Sequence, residues 1–98
     1  MNLYAILRRR GWASADDLGI AAARSMRVGN EEMPEDVRWI RSYVLDEGEG
    51  VVGTVCIYQA TSPDALRQHA SLAEIPADQI IPIADTVLVR PDPVPATV

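Results

Sequence analysis

The side chains with chemical potential gather in one stretch, Val37–Tyr58, which carries Trp39, Arg41, Tyr43, Thr54, Cys56 and Tyr58 around the turn Glu47-Gly48-Glu49-Gly50. Side chains two apart on a strand share a face. The stretch therefore reads as a hairpin of strands Val37–Asp46 and Val51–Tyr58, with the turn glycines free to take positive φ. One face collects Ile40, Val44, Val55 and Ile57 and is expected to be core; the other collects the aromatics beside Arg41 and the thiol. An arginine on an aromatic floor suits an anionic or polar small molecule. It equally suits a guanidinium stacked on rings, or paired with an acid between two copies of the chain. Cys56 is either a nucleophile, its thiolate promoted by a cation such as Arg41, or a small buried residue. His69, the single histidine, is either a metal ligand or general base, or an imidazole hydrogen-bonded to a backbone carbonyl or an acid. Asp85 interrupts an apolar run and is a candidate partner for Arg41 or Arg8, or the mark of a bulge or wet edge. No Gly-rich phosphate loop, His-x-x-x-His pair or Ser-His-Asp set accompanies them.

The elements that must position these groups fit a single domain, because a chain of 98 residues supports one core or needs a partner to complete it. A net charge of −5 argues against nucleic acid and against anionic membrane surfaces, both of which need a basic stripe. One cysteine allows neither an internal disulfide nor a thiolate metal cage and fits a reducing compartment. Arg8-Arg9-Arg10 follow the first apolar run instead of preceding it, the reverse of a signal peptide. No run approaches the ~20 apolar residues of a membrane span. A cytoplasmic protein is the expectation.

Along the chain, Asn2–Arg9 alternates as a strand with Leu3, Ala5 and Leu7 on one face and Tyr4, Ile6 and Arg8 on the other. Ser14 is a helix N-cap with Asp17 in the capping-box position, and Asp16 and Asp17 complement the helix dipole. Leu18, Ala22, Ser25, Met26 and Gly29 form the buried stripe, and Gly29-Asn30 reads as the stop. After the hairpin, Ser62-Pro63-Asp64 starts a second helix with Leu66, Ala70 and Ala73 buried, ended by Pro76. Ile80–Arg90 is a last strand, placed at an edge by Pro82. Residues 91–98 form a proline-rich flexible tail after a domain of residues 1–90. The acids of the loops, Glu47 among them, read as solvated surface.

The order βαββαβ with right-handed crossovers gives a ferredoxin-like α+β fold: a four-stranded antiparallel sheet with both helices on one face. The bare face is expected to carry Tyr4, Ile6, Trp39, Tyr43, Cys56 and Tyr58, with Leu88. A patch of that extent predicts a homodimer with two sheets face to face and a ligand cavity lined by Tyr4, Trp39, Arg41, Tyr43, Cys56 and Tyr58.

Three runs also resemble a known family. Trp39-Ile40-Arg41-Ser42-Tyr43-Val44, the stretch from Cys56-Ile57-Tyr58 to His69-Ala70, and Ile75-Pro76-Ala77-Asp78-Gln79-Ile80 are similar to those of small bacterial ferredoxin-like proteins that include a nickel-binding member. The resemblance spans Leu3 to Arg90. It implies a dimeric α+β barrel, with nickel as a candidate cofactor and His69 as the metal candidate. Relatives often carry histidine where Arg41 stands and glutamate where Gln59 stands. The function expected is that of a small homodimeric protein that binds a small molecule or a nickel-type metal. The alternative is a cofactor-independent enzyme of the monooxygenase or isomerase kind, by analogy of fold alone.

Overall fold

The computed structural model describes residues 1–93. Strand β1 (Asn2–Trp12) is followed by helix α1 (Ala15–Arg27), strands β2 (Val37–Asp46) and β3 (Val52–Ala60), helix α2 (Pro63–Ala73) and strand β4 (Gln79–Pro82). The strands make a four-stranded antiparallel sheet in the order β2-β3-β1-β4, and α1 and α2 cover one face. This is the ferredoxin-like α+β arrangement that the element order implies. No helix among the described residues is long and apolar enough to cross a membrane.

Local chemistry accounts for the element ends. The Ser14 hydroxyl accepts from the Asp17 amide at 3.2 Å, and the Ser62 hydroxyl accepts from Ala65 at 3.1 Å with Pro63 opening α2. Each cap satisfies an amide that the first helical turn leaves free. The β2–β3 turn holds Gly48 and Gly50 at positive φ, as its composition predicts, and Glu49 between them as well. Gly29-Asn30, in contrast, is no stop. α1 runs on into a π-helical turn, Val28–Glu32, closed by the Met33 amide on the Val28 carbonyl at 3.0 Å. The wider turn brings Val28 and Met33 into the core together. Helix α2 stops at Glu74, which takes the left-handed conformation, two residues ahead of Pro76. Arg24 donates to the carbonyls of Ala73 and Glu74, so α1 supplies the cation that the C-terminus of α2 favours.

The last strand is much shorter than Ile80–Arg90. Pro82 has no amide to continue a ladder. After the Ile83 amide bonds the Leu3 carbonyl at 3.0 Å, the chain leaves the sheet. Asp85 accepts from the Thr86 amide at 2.8 Å and pairs with neither Arg41 nor Arg8.

The helices take the opposite sheet face from the one expected. Tyr4, Ile6, Arg8, Cys56 and Tyr58 are buried beneath them. Val55 and Ile57, expected as core, lie half-buried on the open face with Leu3, Ala5 and Leu7. Ile40 and Val44 are 46% and 57% exposed. The reason is one of volume. The helices turn mostly small residues to the sheet, Ala21 and Ser25 from α1, then Ala65, Ala70 and Ala73 beside Leu66 and His69 from α2. Such a surface leaves room for large side chains beneath it, and close packing demands that the room be filled. Tyr4, Tyr58 and Arg8 fill it; the aliphatic face could not. Met26, placed on the buried stripe by periodicity, is exposed because the stripe runs through Ala21, Ser25 and Val28.

A bulge then splits the aromatic set. Trp39 pairs with Tyr58, but Arg41 pairs with Ile57, so Ile40 is the extra residue of β2. The shift reverses the phase. Trp39 and Ser42 face the helices, whereas Arg41 and Tyr43 face away from them beside Ile57 and Val55.

Glu47 is not a solvated charge. Its side chain is 6% exposed and accepts from Arg9 at 2.6 and 3.0 Å and from the Arg10 amide. It ties the hairpin turn to the end of β1, where that strand is itself irregular between Arg8 and Trp12. Gly53 makes this approach feasible. A Cβ there would lie 2.5 Å from the Arg8 carbonyl oxygen and 3.0 Å from the Arg10 nitrogen. Gly53→Ala is therefore expected to destabilise the fold by about 1–3 kcal/mol, read as a lower urea midpoint; a wild-type midpoint would refute the close approach.

Candidate functional site

Between α1 with its π-helical turn and the outer half of β2 lies a partly open cavity of about 580 Å³. Trp39 and Tyr58 supply its aromatic lining, Ala22 and Met26 the helix wall, Val44 the outer rim, and His69 the inner end. The cavity exists because α1 is small-faced at Ala22 and because the bulge brings Ser42, instead of Arg41, to the helix side next to Trp39. The two rings lie nearly parallel, 7° apart in plane with centroids 6.1 Å apart.

The polar atoms around it form connected hydrogen bonds. The Tyr58 hydroxyl and Ser25 Oγ are 3.1 Å apart. Trp39 Nε1 donates to Ser42 Oγ at 2.8 Å, and Ser42 Oγ donates to Cys56 Sγ at 2.9 Å. His69 Nε2 lies 3.0 Å from the Ser25 carbonyl. A carbonyl only accepts, so the proton sits on Nε2 and leaves Nδ1 a bare acceptor. That Nδ1 is buried and has no partner among the described residues. The imidazole edge packs on Tyr58 with the planes 60° apart, and Gly29 sits close enough that a Cβ there would touch Nε2 at 3.6 Å. His69 thus makes, through Nε2, the bond to a backbone carbonyl that is one of its two readings.

Arg8 is the residue that sequence reasoning underrated. It is among the most buried side chains of the protein. Its Nε donates to the Pro76 carbonyl at 2.5 Å and its Nη1 to Cys56 Sγ at 3.1 Å, while Nη2 has no partner among the described residues. The guanidinium also lies 5.8 Å from the centre of the Tyr58 ring, within cation–π range. Its phase with Tyr4 and Ile6 was the available signal. Arg8, and not Arg41, is the cation beside Cys56.

Burial sets the protonation of the site. Desolvation pushes the Tyr58 phenol up, against the bond to Ser25 and the charge of Arg8. Desolvation pulls His69 down, with Arg8 acting the same way and the Ser25 carbonyl opposing. Both groups are neutral at pH 7, which suits binding by shape and hydrogen bonding.

Of the residues expected on one ligand face, Tyr4, Cys56, Tyr58 and Trp39 lie on the helix side, and Tyr4 and Cys56 lie in the core without lining the cavity. Tyr43 is on the open face. Arg41 reaches from that face to the cavity mouth. Its guanidinium is bonded to Asp92 at 2.5 Å, and Tyr43 donates to the same carboxylate at 2.8 and 2.9 Å. Ser25 and Ser42 are additions. A hydroxyl within a small-residue stripe, and one between Arg41 and Tyr43, carry no sequence signal until the bulge is known.

Metal ligation finds little support in these donors. Among the described residues no three His, Cys, Asp or Glu side chains converge. His69 spends Nε2 on a carbonyl, and the Cys56 sulfur faces a guanidinium, which opposes a metal cation.

Fold and site together define a small α+β protein with a helix-roofed aromatic cavity and one open sheet face. The sequence profile described as "Nickel responsive protein SCO4226-like" matches residues 4–83, and the chain belongs to that family. Among solved structures, the crystal structure of SCO4226 from Streptomyces coelicolor A3(2) matches with a TM-score of 0.68 at 19% identity, over 87% of this chain and 99% of that one. At that identity the likeness establishes the fold. No match was found among curated proteins.

The lowered proton affinity of His69 has a thermodynamic consequence. The unfolded chain accepts a proton near pH ~6.5, which the folded chain resists. Stability tied to His69 is complete above that pH and is lost as pH falls below it. Urea midpoints are expected to drop between about pH 7 and about pH 5, and His69→Gln, which cannot titrate, should flatten that drop. An equally steep profile in the variant would show that other groups control it.

Proposed function

We propose that the protein is a non-catalytic binding protein that works as a homodimer. The cavity beneath α1 takes a small, largely apolar or aromatic molecule, and the open sheet face meets a second copy. The observation that carries the ligand reading is the cavity of about 580 Å³ with Trp39 and Tyr58 in its lining, a size and composition typical of small-molecule sites. Ser25 and Ser42 leave hydroxyl lone pairs to orient a polar group. His69 and Tyr58 add no net charge to the cavity wall, which suits an uncharged ligand.

Support for the second copy comes from the open face. Ala5, Leu7 and Val55 are only half-buried there and Ile81 is exposed, beside the groove that Leu3, Ile57 and Tyr43 line beneath the chain's own segment beyond Ile83. A contiguous apolar face of this kind is what dimers cover. A cytoplasmic setting suits the single cysteine, which is free.

Nickel responsiveness belongs to the description of the family, but the side chains of this one chain do not fit that ion. The single imidazole is sequestered in the core, the single thiol is opposed by Arg8, and Arg41 stays protonated.

Binding is tested with indole as the probe in thermal unfolding. Indole is expected to raise the melting temperature of the native protein, as any ligand selective for the folded state does. Ala22→Leu, which intrudes on the cavity from the helix wall, should reduce the shift; an unchanged shift would place indole elsewhere. For the dimer, Val55→Asp puts a charge at the centre of the open face, where burial costs several kcal/mol, about 2–7 for a polar group without a partner. Native mass spectrometry is expected to show a dimer for the native chain and a monomer for the variant. A monomeric native chain would end the dimer proposal.

A further inference from the structure

Beyond Ile83 the chain crosses from β4, one edge of the sheet, to β2, the other edge, as an arm without regular structure. The arm is not held down by apolar burial. Val87, Leu88 and Val89 are 88%, 74% and 80% exposed. What fixes it to β2 is Asp92. One carboxylate oxygen takes Arg41 Nη1 at 2.5 Å and the Tyr43 hydroxyl at 2.9 Å, and the other takes the same hydroxyl at 2.8 Å. Under the arm runs a groove of about 1010 Å³, walled on the sheet side by Leu3 and Ile57 and at its start by Ile83.

We infer that this groove is a binding site for small organic carboxylates with an apolar body, and that Asp92 is a tethered stand-in for the carboxylate of the ligand. Strand alternation puts Arg41 and Tyr43 on one face, and the bulge at Ile40 makes it the face away from the helices, so a cationic and a neutral donor converge on one planar anion. In a chain of net charge −5, such a local pair is what gives an acid a place to bind. The apolar walls beside it accept the rest of the molecule. The ligand carboxylate takes the two donors, Asp92 swings into water, and the body lies against Leu3 and Ile57. A tethered group competes at an effective concentration on the order of millimolar. Asp92 therefore holds the site closed to weak acids and yields to tight ones. The inference concerns one chain and is separate from the ligand reading of the cavity under α1.

Isothermal titration calorimetry with phenylbutyrate and with its primary amide tests it. Asp92→Ala is expected to tighten phenylbutyrate binding by about tenfold or more and to leave the amide weak. Arg41→Met in the Asp92→Ala background should remove the gain, with far-ultraviolet circular dichroism unchanged. No tightening in Asp92→Ala, or equal affinity for acid and amide, overturns the inference and leaves a structural clasp over an unselective groove. The same titration in Asp92→Ala combined with Ile81→Asp, a charge on the same face but on β4 at the far edge from Arg41 and Tyr43, separates this from dimerisation. Binding retained in a monomer supports the inference, and binding lost in a folded monomer overturns it.

Discussion

The fit between small-faced helices and a large-faced sheet governs this structure. Ala21 and Ser25 on α1, and Ala65, Ala70 and Ala73 around the larger Leu66 and His69 on α2, limit the helices' contribution to the interlayer volume. Tyr4, Ile6, Arg8 and Tyr58 make up the difference. Several of these carry polar atoms, so the layer works only because each helix also brings partners. Ser25 serves Tyr58 through its side chain and His69 through its carbonyl, while the turn after α2 brings the Pro76 carbonyl to Arg8. A buried guanidinium with an incomplete set of partners is costly. Leu66 and Ile6 belong to one buried apolar cluster between the layers, and that burial offsets it.

The fold was largely legible in the sequence, because its signals are local. Ser14 and Ser62 cap the helices and the two-glycine turn closes the hairpin. The element order then leaves little freedom in topology. Face selection was not legible from strand alternation, which divides side chains into two sets without saying which set the helices take. The deciding evidence was in the helices, in the alanines of the two stripes. Reading aliphatic residues as core by type assigned Val55 and Ile57 to the wrong side.

The site was less legible for a different reason. Trp39, Arg41 and Tyr43 look like one face at a spacing of two, and the extra residue Ile40 separates them. A bulge without glycine or proline leaves no mark in composition. Glu47 was missed likewise, because a charge run gives no hint that one member will be drawn into the bend of a neighbouring strand. The exit of the chain at Ile83 had a stronger cue, since Pro82 is the point at which the ladder stops.

The bulge at Ile40 also bears on how this chain is compared with its relatives. Downstream of it, whether a β2 side chain meets the helices or the opposite side depends on a count of residues and not on residue type. Two homologues that differ by one residue here would place unlike neighbourhoods in the same alignment column. Equating Arg41 with a β2 residue of a relative thus presupposes that both chains carry the insertion at the same point, and only superposed backbones can say so.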